Sequence, residues 1–137
     1  MGSSSNAGYE DLRVWQNSIA FAKKIYLLTK NFPKDQQYSL TTQLQKSAVS
    51  IASNIAEGCA RNTHQEFIHF LGIASGSLAE YVTQLIIAHE IGFVSQDEFY
   101  PIRAEGESVG KMLSALKRSI RTVKSVSKFP EPVTSNQ

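Results

Sequence analysis

The sequence predicts an all-α fold, an antiparallel up-down-up-down four-helix bundle. Three observations carry that expectation. Apolar residues recur at steps of three and four along four separate segments, the period of a helix with one buried face. The connections between segments are short, which makes consecutive helices antiparallel neighbours. No stretch alternates apolar and polar residues as a half-buried strand would. A helical hairpin that completes its core by dimerising, or an irregular helical array, would also fit the pattern.

The first helix is expected from about Asp11 to Asn31, with Leu12, Trp15, Ile19, Ala22 and Tyr26 as its stripe and Phe21, Ile25 and Leu28 widening it. Phe32-Pro33 ends it, because the residue before a proline is pushed out of the helical region. The second begins between Asp35 and Leu40 and buries Leu40, Leu44, Ala48, Ile51 and Ile55. Gly58 stands near its end as a left-handed cap. Thr63-His64-Gln65-Glu66 is a capping box that starts the third helix. Phe67, Leu71, Ala74, Leu78, Tyr81 and Leu85 form its core face, and Gly92 stops it. Ser95-Gln96-Asp97-Glu98 is a second capping box, followed by Phe99, Ile102, Val109, Leu113, Leu116, Ile120 and Val123. Pro101 falls in the first turns, where a missing N–H is tolerated best. Residues 9–127 are therefore expected to form one bundle, between a disordered or vector-derived leader (1–8) and a flexible tail (128–137).

The composition narrows the function classes. The 137 residues suit one domain, and 42% of them are hydrophobic, enough for a packed core. A net charge of +2 permits an anionic partner without demanding one. Cys59 is the only cysteine, so neither an intrachain disulfide nor a Cys-rich zinc site can form. The N-terminus has no signal-peptide character and no uninterrupted apolar run reaches a membrane span. A cytoplasmic location without membrane contact is expected.

Three surface patterns invite a functional reading. On the second helix, Gln43, Ser47, Ser50, Asn54, Glu57 and Arg61 follow steps of four and three and share one face. Short neutral side chains suit a face pressed against another helix, and Glu57 and Arg61 stand in the favourable acid-then-base order. On the third helix, Gly72, Ser75, Gly76 and Ala79 make a stripe of small residues. Each interior glycine costs about 1 kcal/mol against alanine, so close approach of another backbone, in this chain or a second subunit, is expected there. The fourth helix is acidic early (Asp97, Glu98, Glu105, Glu107) and basic late (Lys111, Lys117, Arg118, Arg121, Lys124, Lys128). Compensation of the helix dipole explains part of that asymmetry, but the basic run is long enough to neutralise several phosphates. No aromatic residue is interleaved with it, so neither stacking recognition of single strands nor sequence-specific reading is indicated.

Catalytic signatures are absent. Glu66-Phe67-Ile68-His69 has the Glu-x-x-His spacing of di-iron bundles, but it occurs once, and His64 and His89 lack the partner glutamate. No phosphate loop, nucleophile elbow or His-Glu-x-x-His motif is present. No enzyme activity, metal or cofactor is expected.

The chain also carries a run of matching segments. Tyr9-Glu10-Asp11-Leu12, Val14-Trp15, Phe32-Pro33, Tyr38-Ser39-Leu40 and Gln43-Leu44 come first. Ser47-Ala48-Val49-Ser50-Ile51, Asn54-Ile55-Ala56-Glu57-Gly58, Arg61, Glu66-Phe67, Ala74, Gly76-Ser77-Leu78 and Glu80 follow in order. From about Tyr9 to Arg121 the chain resembles the bacterial four-helix bundle family associated with intervening sequences in 23S ribosomal RNA genes. The resemblance implies a homo-oligomer, commonly a pentameric ring. It also implies kinship with the accessory variability determinant of diversity-generating retroelements, a basic pentamer that binds nucleic acid and its partner reverse transcriptase. Under it, Asn54, Glu57, Gly58, Arg61, Gly76 and Glu80 are expected as structural positions. Two departures alter the surface electrostatics, and with them the expected nucleic-acid affinity: Gln36-Gln37 where the family usually places a Glu, and Gln45-Lys46 where paired basic residues are common.

Residues and resemblance together lead to one expectation and one alternative. The expectation is a non-enzymatic oligomeric bundle that binds RNA or DNA non-specifically through a basic surface, as an accessory to a nucleic-acid enzyme. The alternative is a structural or protein-interaction oligomer with no nucleic-acid role.

Overall fold

The computed structural model describes residues 8–123, the side chain of Val123 excepted. A 3-10 turn, Gly8–Asp11, leads into α1 (Arg13–Thr29). Then follow α2 (Leu40–Cys59), α3 (His64–Glu90) and α4 (Gln96–Val123), with a second 3-10 turn, Lys34–Gln36, between α1 and α2. Each helix packs on the next, and α4 returns to α1, which closes an up-down-up-down square. The pair α2–α3 is in the most intimate contact. The expected leader, apart from Gly8, and the expected tail lie outside the described residues, as do Lys124 and Lys128.

Local chemistry sets the helix ends. Ser95 and Glu98 make the reciprocal capping box: the Glu98 amide donates to Ser95 Oγ at 3.2 Å and the Ser95 amide donates to Glu98 Oε1 at 3.0 Å. At α3 the Glu66 amide donates to Thr63 Oγ1 at 3.1 Å. Gly92 has φ +92° and closes α3 in a Schellman arrangement. There the Phe93 amide reaches Ala88 O at 2.8 Å and the Gly92 amide reaches His89 O at 3.1 Å. Helix α1 stops two residues earlier than expected, because tight turns bonded from Asn31 to Leu28 and from Phe32 to Thr29 take over before Pro33. Pro101 is the sixth residue of α4, one turn deeper than a first-turn proline.

The core holds most of the expected apolar residues, with one correction. Leu44, Ala48, Ile51, Ile55, Phe67, Leu71, Ala74, Tyr81, Leu85, Phe99, Val109, Leu113 and Ile120 are buried. In α1, however, Ile19 and Tyr26 are exposed, at 38% and 46%. The buried line is Val14, Ser18, Phe21, Ala22, Ile25 and Leu28. A serine interrupts that line, so the neighbouring stripe looks more continuous in sequence. The Ser18 hydroxyl donates to Val14 O at 2.7 Å, and a hydroxyl satisfied inside its own helix can be buried at little cost.

Tyr81 spans the centre of the bundle. Its ring meets Phe21 of α1 edge-on at 4.6 Å, and its hydroxyl donates to Ile102 O of α4 at 2.9 Å. Gly106 is buried beneath that ring: a Cβ there would lie 2.7 Å from Tyr81 Cε2. Burial first, and the nearby Glu105 second, push the Tyr81 phenol above its usual value. A raised folded-state pKa gives stability that is complete below about pH 10 and is lost as pH rises toward the folded value. Thermal melts above about pH 10 should therefore show the wild type losing stability faster than Tyr81→Phe; parallel losses would contradict this.

By length and composition α3 is apolar enough to cross a membrane, with 28% of the most apolar stretch buried in the bundle. Phe67, Leu71, Ala74, Tyr81, Leu85 and Ala88 turn its inner face to the core, Ile68, Leu78, Val82 and Ile86 pack partly against it, and Ile73 and Ile87 are exposed.

Candidate functional site

Lys111, Lys117, Arg118 and Arg121 fall within about 120° of arc and about 15 Å of length on α4. Residues 108–123 include no carboxylate. Lys111, Arg118 and Arg121 are exposed. Lys117 is half-buried, and its Nζ donates to Ser75 Oγ of α3 at 3.2 Å, so this member of the expected ridge is tied across to the neighbouring helix. The acids at the start of α4 are largely engaged locally. Glu98 caps the helix, Glu105 meets Lys24 Nζ of α1 at 2.6 Å, and Glu107 lies 3.7 Å from Arg103. The late cations thus keep a net positive field that dipole compensation alone does not consume.

An open groove of ≈ 690 Å³ runs beside this arc between α3 and α4. Lys111, Ser114, Arg118, Ser75 and Glu107 line it together with Leu78 and Gly110. Leu78 and Gly110 are half-buried at its base and Ser75 is half-buried on the α3 side, while Lys111, Ser114 and Arg118 stand exposed along the α4 side.

The polar stripe of α2 faces α3. Ser47 Oγ donates to Gln84 Oε1 at 2.9 Å, and the Ser50 and Ser77 hydroxyls pair at 2.8 Å. Asn54 Nδ2 donates back to Ser50 O at 2.8 Å and to Ser50 Oγ at 2.9 Å. Short side chains let the two helices approach closely, and their hydroxyls are satisfied across the seam. Glu80 is exposed beside it, in a groove shared with Gln43, Lys46 and Gln84. Where α2 ends, Arg61 Nη2 meets Glu57 Oε2 at 2.5 Å, and its guanidinium lies 4.8 Å from the centre of the Phe70 ring of α3. Both partners of the ion pair are exposed, at 42% and 51%, which keeps its worth to about 0.5 kcal/mol. Glu57→Ala should therefore lower the melting temperature by only about 2 °C. A drop several times larger would mean the pair organises the α2–α3 turn.

The glycines depart from the expected pattern. Gly58 is a buried helical residue, and the residue capping α2 is Ala60 in ordinary helical geometry. A Cβ on Gly58 would lie 2.8 Å from Phe70 Cβ and 3.2 Å from Phe67 O, so its bareness serves the crossing of α2 and α3. The expected stripe on α3 has no such neighbour: Gly72 and Gly76 are exposed, with nothing within 4 Å of a Cβ. The α3–α4 approach instead uses Gly106 and Gly110 of α4, against Tyr81 and Leu78. Sequence reasoning passes over both. The one signal for them is a gap in the α4 apolar period between Ile102 and Val109, occupied by Gly106.

The profile of the 23S rRNA-intervening sequence protein family matches residues 10–115. The chain belongs to that family. A solved structure from Bacteroides thetaiotaomicron, described as a protein of unknown function from the S23 ribosomal protein family, shares the fold with a TM-score of 0.69. It is 22% identical, and the match covers 77% of this chain and 98% of that one. No curated protein matches the chain. In this intervening-sequence family member the unusual glutamines have local tasks. Gln36 Oε1 accepts from Ser39 Oγ at 2.9 Å, and Gln45 Nε2 donates to Thr29 Oγ1 at 3.0 Å, tying α2 to the end of α1. Among the described residues no three His, Cys, Asp or Glu side chains are grouped to hold a metal. Glu66 and His69 are exposed on α3.

Proposed function

We propose that this protein is a non-catalytic, self-associating bundle of the cytoplasm that binds RNA or DNA without sequence preference. The observation that carries the proposal is the acid-free arc of Lys111, Lys117, Arg118 and Arg121 beside an open groove. Cations at that density release counterions from a phosphate backbone, and no ring lies among them to read bases. The family description names an intervening sequence of 23S rRNA rather than a bound ligand, so structured RNA is chosen as the first probe for its dense phosphates.

Self-association is supported by the outward face of α3, where Gly72, Gly76, Ile73 and Ile87 lie exposed. A pentamer is the assembly that the family resemblance favours. Repetition of a modest basic arc around a ring would raise affinity by multivalency. The same apolar face favours the second reading, a protein-interaction oligomer with no nucleic-acid role.

Light scattering coupled to size exclusion, followed by titration of structured RNA across a salt series, tests both parts. The expected result is a pentamer-sized species whose RNA affinity falls steeply with salt. An oligomer indifferent to RNA would leave the second reading standing. A monomer indifferent to RNA would remove both.

A further inference from the structure

We infer that the α3–α4 groove holds the sugar–phosphate backbone of one nucleic-acid strand, and that the protein prefers single strands to duplexes. The inference rests on the nucleic-acid reading above and names the form of ligand for that site. Lys111, Ser114 and Arg118 follow one another at steps of three and four along the groove. They span about 10 Å at 1.5 Å per residue, the axial length of about three nucleotides in a stacked strand. Lys111 and Arg118 supply the charge at the two ends of that span, and the Ser114 hydroxyl stands between them as a donor.

On the opposite wall, Ser75 Oγ accepts from Lys117 Nζ at 3.2 Å. That contact uses a lone pair of the hydroxyl and leaves its own proton for a phosphate oxygen. It also holds a third positive charge against the groove wall. Glu107 is the one carboxylate in the lining, one turn before Lys111 and 3.7 Å from Arg103. It marks where the anionic path stops.

The base of the groove decides the preference. Leu78 and Gly110 are apolar and half-buried. Gly110 has no side chain, and a Cβ there would already lie 3.0 Å from Leu78 Cδ2, so that carbon would narrow the floor. A single strand is narrow enough to enter the groove and lay its sugars on that apolar floor. A duplex stacks its bases inside and is far wider than the space between two packed helices, so it meets only the outer cations. Recognition stays blind to sequence, because the lining groups are assigned to phosphate and sugar, which carry no base identity.

The test is anisotropy titration of a short oligothymidylate and of a duplex of the same length, with the wild type and with Ser114→Leu. Ser114 is exposed on α4, so leucine is compatible with the helix and leaves the charge unchanged. It fills the groove between the two cations. The wild type should bind the single strand more tightly than the duplex. Ser114→Leu should weaken single-strand binding by about tenfold, the worth of one charge-assisted contact, and weaken duplex binding less, so that the preference for the single strand shrinks. Equal wild-type affinities, or an unaltered single-strand affinity in Ser114→Leu, would overturn the groove assignment while the basic-surface reading stands. A wild type that binds neither probe would remove both.

Discussion

Replacing Gly58 with valine is expected to lower the unfolding free energy by about 3 kcal/mol, the upper part of the usual range for overpacking. In a domain of this size that is a fall of about 12 °C in melting temperature. The cost follows from what the new carbon meets. Phe70 Cβ, 2.8 Å away, is fixed to the α3 backbone, and Phe67 O, 3.2 Å away, is the backbone itself. Neither can swing aside as the end of a long side chain would, so α2 and α3 must separate. Their seam carries the Ser50–Ser77 and Ser47–Gln84 hydrogen bonds, which lengthen together. Gly76→Ala is the counterpart of opposite sign. Its Cβ enters open space, so the isolated protomer should gain about 1 kcal/mol of helix propensity. If α3 faces associate, the same methyl group obstructs them, and scattering should show a smaller particle alongside the higher melt. Chemical melts of both variants, read by helical circular dichroism, decide the matter. Equal and small effects would mean that the α2–α3 crossing is looser than its contacts imply.

Reversal of three charges, Lys111→Glu with Arg118→Glu and Arg121→Glu, should abolish nucleic-acid binding without disturbing the fold. Each lost cation removes about 1 from the slope of log affinity against log salt, hence about 3 per protomer in contact. At low salt the affinity should fall by about a thousandfold if each contact is worth a charge-assisted hydrogen bond. All three side chains are exposed, so the melting temperature should barely move, as for ordinary surface substitutions of about 0.5 kcal/mol or less. Lys117 is left in place because its bond to Ser75 joins α3 to α4, and its loss would mix a packing effect with an electrostatic one. Unchanged binding in this variant would show that α4 is ordinary solvated surface.

Part of the candidate surface is legible in the amino-acid sequence. Arg118 and Arg121 are long side chains on an acid-free stretch, and their exposure follows from the apolar stripe on the opposite face. Ser75 is legible only as part of a small stripe on α3, because its link to Lys117 spans 42 residues and depends on the crossing of two helices. The groove itself has no sequence signature. It exists because Gly110 and Leu78 meet at its base, and that meeting is set by how far α3 and α4 slide past one another.

Four helices, their order, the Ser95–Glu98 capping box, the Thr63 N-cap and the Gly92 stop were determined by the sequence alone, because period, caps and turn glycines act within a few residues of chain. Tertiary structure decided which stripe of α1 turns inward, where a buried Ser18 stands in line with Phe21 and Ile25. It also decided which glycines are obligatory: Gly58 and Gly106 lie under another helix's aromatic rings, whereas Gly72 and Gly76 face outward. The physical reason is the same in both cases. A helix's period says that one face is buried, but two adjacent stripes can satisfy it almost equally. The choice between them, and the need for a missing side chain, is made by the shape of the partner helix, which lies distant in sequence and close in space.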